Sequence, residues 1–322
     1  MRKQKKVTKL KRARVLLSKN SITNRRSTSN LQVWVAVAWI DAAGSRAQPG
    51  ANEAIPVFAV SVHERYPTTR RDRFQLLQEI ASRMRCYVPE GMPSLWVFPG
   101  GFFGFDAFRC RWLSLGKTEL CAIKTRLATI LTKFPPGAKV AIGVDTGNRG
   151  IQEAWIVSLN MRRQLQKIAI QRGVTDLPGR AVNIGPVQAA FFICGEFTGS
   201  KTPANGPYHK NHYLEDPVAD LSHCRLLVDL AHHRVRHTIN SSPDRPMYAL
   251  VHQRQMERFS RHGAAILTHH HGGERAGKDK HQKTDCCNNW IVFKGGRWLK
   301  EAAVMPIRIP LNSMSRRRVF TS

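Results

Sequence analysis

Acidic residues are scarce: 22 Asp and Glu stand against 51 Lys and Arg in a chain of 322 residues, for a formal net charge of +29. The first carboxylate is Asp41, and residues 1–30 hold eleven Lys or Arg. Such a balance favours polyanions, either nucleic acid or an anionic lipid surface. The plainer reading is a solvated basic arm, because the arm lacks the interleaved aromatics on which single-strand binders stack bases. Long apolar runs are absent too. After the basic residues the first apolar run is only Val15–Leu17, too short for a secretory leader, and nothing approaches the roughly eighteen residues of a membrane span. Seven cysteines, an odd number at irregular spacing, argue for reduced thiols and a cytoplasmic setting rather than a disulfide framework.

Other motifs are missing. No C-x-x-C pair occurs, and no H-x-x-x-H pair includes His269, His270 or His271, which are adjacent and so in extended chain point to alternating faces. With His281, Cys286 and Cys287 they make a poor metal site, and none is expected. The turn DTGNRG lacks the spacing and lysine of a phosphate loop, and no G-x-S-x-G elbow is present, which leaves nucleotide hydrolysis and serine hydrolysis without support.

What is present is a succession of short apolar strands and amphipathic helices. Strands are expected at 31–40, 56–62, 94–99, 139–144, 153–159, 187–193, 225–230, 264–268 and 290–293. Phe74, Leu77, Ile80, Ala81 and Met84 share one helical face over 70–85, and Leu120, Ile123, Leu127, Ile130 and Leu131 another over 117–133. A third helix is expected over 250–261, closed by Gly263, while 174–185 reads as a loop. Strands alternating with helices indicate an α/β fold with mixed central sheets. The length suits one main domain over 31–310, with a disordered basic arm over 1–30 and a basic tail over 311–322.

The chemistry centres on Val187–Ser200, VQAAFFICGEFTGS. A buried strand ends by delivering Cys194 to a turn opened by Gly195, with Glu196 close behind. A thiol at a strand end is well placed for nucleophilic attack if cations or backbone N–H groups favour the thiolate, and the N–H of Gly195 can approach a developing oxyanion. Cysteine is also among the most buried residue types, so a structural thiol is the competing reading.

Taken in order, SLWVFPGGFFGF, LQKIAIQRG, AAFFICGEF, ERFSRHGAAILTHHH and WIVFKGGRWL resemble the carbon–nitrogen hydrolase (nitrilase and amidase) superfamily over roughly residues 31–300. The resemblance implies a four-layer α-β-β-α sandwich, pairing into a homo-oligomer such as a dimer, a small amide or nitrile substrate and no cofactor. It assigns the nucleophile to Cys194 and the lysine that supports the oxyanion to Lys167, with Gly195 and Glu196 in the pocket. The chain departs from the family at one position. Where a Glu serves as general base, Phe98-Pro99 is followed by Gly100, which cannot accept a proton. Asp106, Glu90 and Glu196 are the nearby carboxylates, and none occupies that position. Three readings follow: cysteine-dependent hydrolysis of a non-peptide amide or nitrile, a non-catalytic descendant that binds in the same pocket, and a polyanion-binding protein with a merely buried Cys194.

Overall fold

A computed structural model describes the chain except for residues 1–30, 43–53, 65–68, 107–110, 114, 147–150, 194–195, 197–220, 222, 232–255, 262, 269, 273–291, 295–296, 299–302 and 310–322. The expected arm and tail therefore lie outside the described residues. Two sheets organise the rest. The first contains β1 (Leu31–Asp41), β2 (Ala54–Glu64), β3 (Ser94–Val97), β6 (Ala138–Thr146), β7 (Ile151–Leu159), β8 (Leu165–Gln171) and β16 (Ala303–Ile309), in the order β16-β1-β2-β3-β6-β7-β8, with β13 (His270–Gly272) pairing to β2. The second contains β9 (Ala181–Ile184), β10 (Val187–Ile193), β11 (Leu226–Leu230), β12 (Ala264–Thr268), β14 (Val292–Lys294) and β15 (Arg297–Trp298), in the order β15-β14-β12-β11-β10-β9. A small hairpin joins β4 (Phe105–Asp106) to β5 (Arg111–Trp112). Both large sheets are mixed: β2, β3 and β6 run parallel in the first, β10, β11 and β12 in the second, and the flanking strands are antiparallel.

Three separate apolar cores define four layers. Helices α1 (Arg70–Met84) and α2 (Lys117–Leu131) bury Leu77, Ile80, Ile123 and Leu127 against Val60, Trp96, Val140 and Trp155 on the outer face of the first sheet. Between the sheets, Val57, Leu95 and Ala141 meet Phe191, Val228 and Ile266. On the far side of the second sheet, Phe192, Leu227 and Ala265 pack with Met256 and Phe259 from a helical turn over 256–260. This is an α-β-β-α sandwich. Alternate residues of β10 point into two different cores, which is why its sequence reads as one continuous apolar run.

Local chemistry sets the helix ends. Thr69 caps α1, its hydroxyl accepting from the Asp72 N–H while Asp72 accepts from the Thr69 N–H. The Phe134-Pro135-Pro136-Gly137 stop follows α2, with Gly137 at φ +77°. Several expectations need extension. Residues 181–184, expected in a loop, form β9, because Gly185 at φ +56° and Pro186 close a two-residue hairpin onto β10. β8 carries too much polar sequence to read as a core strand, β16 is interrupted by Pro306, and both are edges of the first sheet. Of the helix expected over 250–261, residues 250–255 lie outside the described residues.

Candidate active site between the sheet ends

The carboxyl ends of the parallel strands in the two sheets meet. Gly100, just past β3, donates its N–H to the carbonyl of Ala231, just past β11, at 3.2 Å. Such strand ends are where open α/β sheets hold ligands. The chain after β3 folds back along β6: Gly143 N–H donates to Pro99 O at 3.2 Å, Phe103 N–H to Gly143 O at 3.0 Å, and Asp145 N–H to Phe103 O at 2.7 Å. Glycine permits this approach. A Cβ on residue 143 would lie 2.4 Å from the Cα of Gly100, and one on Gly104, at φ +101°, would lie 2.0 Å from the Asp145 carbonyl oxygen. Arg73, buried on α1, holds the same turn by donating to the carbonyls of Gly101, Phe102 and Phe105.

Glu196 is committed to structure. Its carboxylate is 4% exposed. It accepts from both terminal nitrogens of Arg180, at 2.7 and 2.9 Å, from the Ile193 N–H at 3.0 Å and from the Gly173 N–H at 2.5 Å. The guanidinium is buried as well and also donates to Thr175 O at 2.9 Å. One carboxylate thus ties the ends of β8 and β10 to the turn before β9. With its oxygens so engaged, it is poorly suited to exchanging protons with a substrate.

A second polar group faces the space between the sheets. Asp145, Gln152 and Arg172 form a row across β6, β7 and the residue following β8, since Asp145 pairs with Gln152 and Arg172 N–H donates to Gln152 O. Strand alternation puts the row on the inter-sheet face, continuing from Ala141 and Ile156. Asp145 is 1% exposed, and Arg172 Nη1 donates to Gln152 Oε1 at 2.5 Å. Opposite, at the end of β12, Thr268 is buried on the inter-sheet side, its hydroxyl without a hydrogen-bond partner among the described residues.

The expected site residues fare differently. Gly100 stands at this junction, just past β3. Cys194 and Gly195 lie outside the described residues, bracketed by Ile193 at the end of β10 and by Glu196. Lys167 requires correction. It pairs with Val157, which pairs with Val140, whereas Arg172 is level with Asp145, so Lys167 sits roughly 17 Å back along the strands. It also lies on the opposite, helix-bearing face, with Nζ 4.5 Å from the centroid of Trp155. Partial burial lowers its pKa first, opposed by Glu153 and assisted by Lys124. A lysine upstream in sequence order is therefore not the cation at this end; Arg172 and Arg180 are the cations that the fold brings there. Neither stood out in sequence, since Arg180 falls in the stretch read as a loop and Arg172 among several basic neighbours. Asp145 carried one usable sign, a carboxylate terminating the apolar run VAIGV. Among the described residues no group of three His, Cys, Asp or Glu converges in a way that would hold a metal ion.

The chain is similar to structures of the nitrilase superfamily. An amidase of that superfamily from Nesterenkonia aligns at 14% identity over 80% of this chain and 91% of that one, with a TM-score of 0.45. A carbon–nitrogen hydrolase from Helicobacter pylori aligns at 9% identity over 75% and 84%, also at 0.45. A CN-hydrolase superfamily protein from Xanthomonas campestris gives 12% over 77% and 88%, at 0.38. No family model matches the sequence, and no curated protein matches it either. The likeness to nitrilase-superfamily structures is one of fold; the chemistry rests on this chain's own residues.

Proposed function

We propose that this protein is a divergent carbon–nitrogen hydrolase that opens a non-peptide amide or nitrile at the carboxyl end of β10, with Cys194 as nucleophile. The observation that carries this is the Glu196 clamp. Ile193 and Glu196 are held on either side of the Cys194-Gly195 pair by buried charge-assisted bonds, so a reactive dipeptide there has rigid flanks. Attack by sulfur would give a thioester from an amide or a thioimidate from a nitrile, with the Gly195 N–H stabilising the charge that develops. Cys86, Cys121 and Cys224 are free thiols, in keeping with a reducing, cytoplasmic setting. Among the described residues no helix is long and apolar enough to cross a membrane. A second copy of the chain is the expected partner, to be checked by sedimentation.

Incubation with small aliphatic nitriles and amides followed by intact-protein mass measurement tests the assignment. An adduct mapping to Cys194 and absent from Cys194→Ala supports it; labelling elsewhere only, or none, overturns it. Gly100 favours a second reading, a binding protein that retains the pocket without turnover. Gly100→Glu separates the two, since it raises turnover only where the rest of the machinery is intact.

A further inference from the structure

We infer that Asp145 is the proton-transferring carboxylate of this site, acting from β6 in place of a residue at Gly100; the inference rests on Cys194 being the nucleophile. The geometry comes from Gly143. Its missing Cβ would point at the Cα of Gly100, 2.4 Å away, so the Gly100–Gly101 turn lies directly over the inter-sheet face of β6 at residue 143. Asp145 is the next residue along that face, roughly 7 Å farther toward the carboxyl end. A carboxylate projecting from position 145 therefore enters the space beside the turn where one projecting from position 100 would have stood. Its main chain is fixed there by the 2.7 Å bond from its N–H to Phe103 O.

Four other carboxylates of the described residues are placed for other work. Glu196 is bound to Arg180 and two backbone N–H groups. Glu153 faces the helices, accepting from Trp155 Nε1 at 2.6 Å. Glu90 is exposed and precedes β3, at the opposite end of that strand. Asp229 alternates with Val228 and so faces the outer core rather than the gap between the sheets. Beside Asp145, the Gln152–Arg172 pair brings positive charge to the same row.

On an amide, Asp145 takes the Sγ proton as sulfur adds to the carbonyl carbon, then gives it to the departing nitrogen as the C–N bond breaks, leaving a thioester and an amine. Asp145 next takes a proton from water as the water oxygen adds to the thioester carbon. The C–S bond breaks, the acid is released, and the proton returns to sulfur.

The second half of this cycle can be isolated with p-nitrophenyl acetate, whose leaving group departs without protonation. Wild type should release p-nitrophenolate continuously. Asp145→Asn should acetylate Cys194 more slowly than wild type, since the sulfur loses its base, but deacylate about 10²-fold or more slowly, so that acetyl accumulates on the Cys194 peptide. Asp145→Glu should restore turnover in part, which a purely structural aspartate would not require. Thermal melts of each variant separate misfolding from chemistry: a folded Asp145→Asn that turns over like wild type overturns the role of Asp145 and leaves Cys194 standing. If Asp145→Asn does not fold, an Asp145→Glu variant that folds and lacks turnover overturns it equally. A wild-type protein that releases p-nitrophenolate no faster than Cys194→Ala overturns both.

Discussion

At the scale of single residues, the Glu196–Arg180 pair is the most consequential contact of the structure. Both groups are nearly out of contact with water, at 4% and 2% exposure, so neither ion can be left alone cheaply. Removing one member of a buried pair costs about 3–5 kcal/mol, because the survivor stays buried and uncompensated. Glu196→Gln and Arg180→Met should each lower the midpoint of urea unfolding accordingly. The double variant should lose less than the two added together. Cys224 offers a pH-dependent test. Burial raises its thiol pKa from 9.0 to about 11, so the folded state holds its proton over a range where the unfolded chain has released it. That contribution is complete below pH 9 and disappears as pH rises through 11. Removing the thiol with Cys224→Ala should therefore flatten the fall in stability between those values, as measured by denaturant titration at each pH. In the folded protein at neutral pH, a thiol reagent should modify the exposed Cys86 and Cys121 well before Cys224.

At the scale of elements, the turn after β3 is shaped from outside as much as by its own sequence. Arg73 reaches it from α1 and satisfies three of its carbonyls, with its guanidinium 6.0 Å from the ring of Phe102. Arg73→Met keeps much of the stem but abandons those acceptors, and should destabilise by about 3 kcal/mol or more in a denaturant melt. Gly143→Ala should displace the Gly100 turn, since no side-chain rotation relieves a contact between a Cβ and main chain; its cost should be about 1–3 kcal/mol. Elements that satisfy themselves locally were legible in sequence: α1 and α2 through their apolar faces and terminal residues, β10 and β11 through unbroken apolar runs. Elements that depend on remote neighbours were not. β8 reads LQKIAIQ because as an edge strand it covers little, and β16 pairs with β1 across most of the chain. The same division holds for the site. Gly100 and the residues flanking Cys194 were marked by local pattern, whereas Asp145 and Arg172 come level only through the register of three antiparallel strands. Lys167 was misplaced because order along the chain does not report which face of a strand a side chain occupies.

For the whole molecule, the basic charge is shared between residues 1–30, with 11 of the +29, and the rest of the chain. The apolar residues between the sheets carry the fold: Phe191 is completely buried there, and Phe191→Ala should cost about 3–5 kcal/mol. The eleven basic residues of positions 1–30 precede the first described strand. Deleting them should leave the melting temperature nearly unchanged while weakening the salt-dependent retention of the protein on immobilised nucleic acid; equal retention after deletion would assign that affinity to the body instead. The joint between the sheets has a different character. From Gly100 to Ala231, both donor and acceptor belong to the main chain. A seam stitched by peptide groups takes no notice of side-chain chemistry, so exchanging glycine for an acid at residue 100 preserves the stitch, and only a residue without an N–H, proline, would cut it. The protein can therefore change the side chain at residue 100 while keeping the two sheet ends fastened.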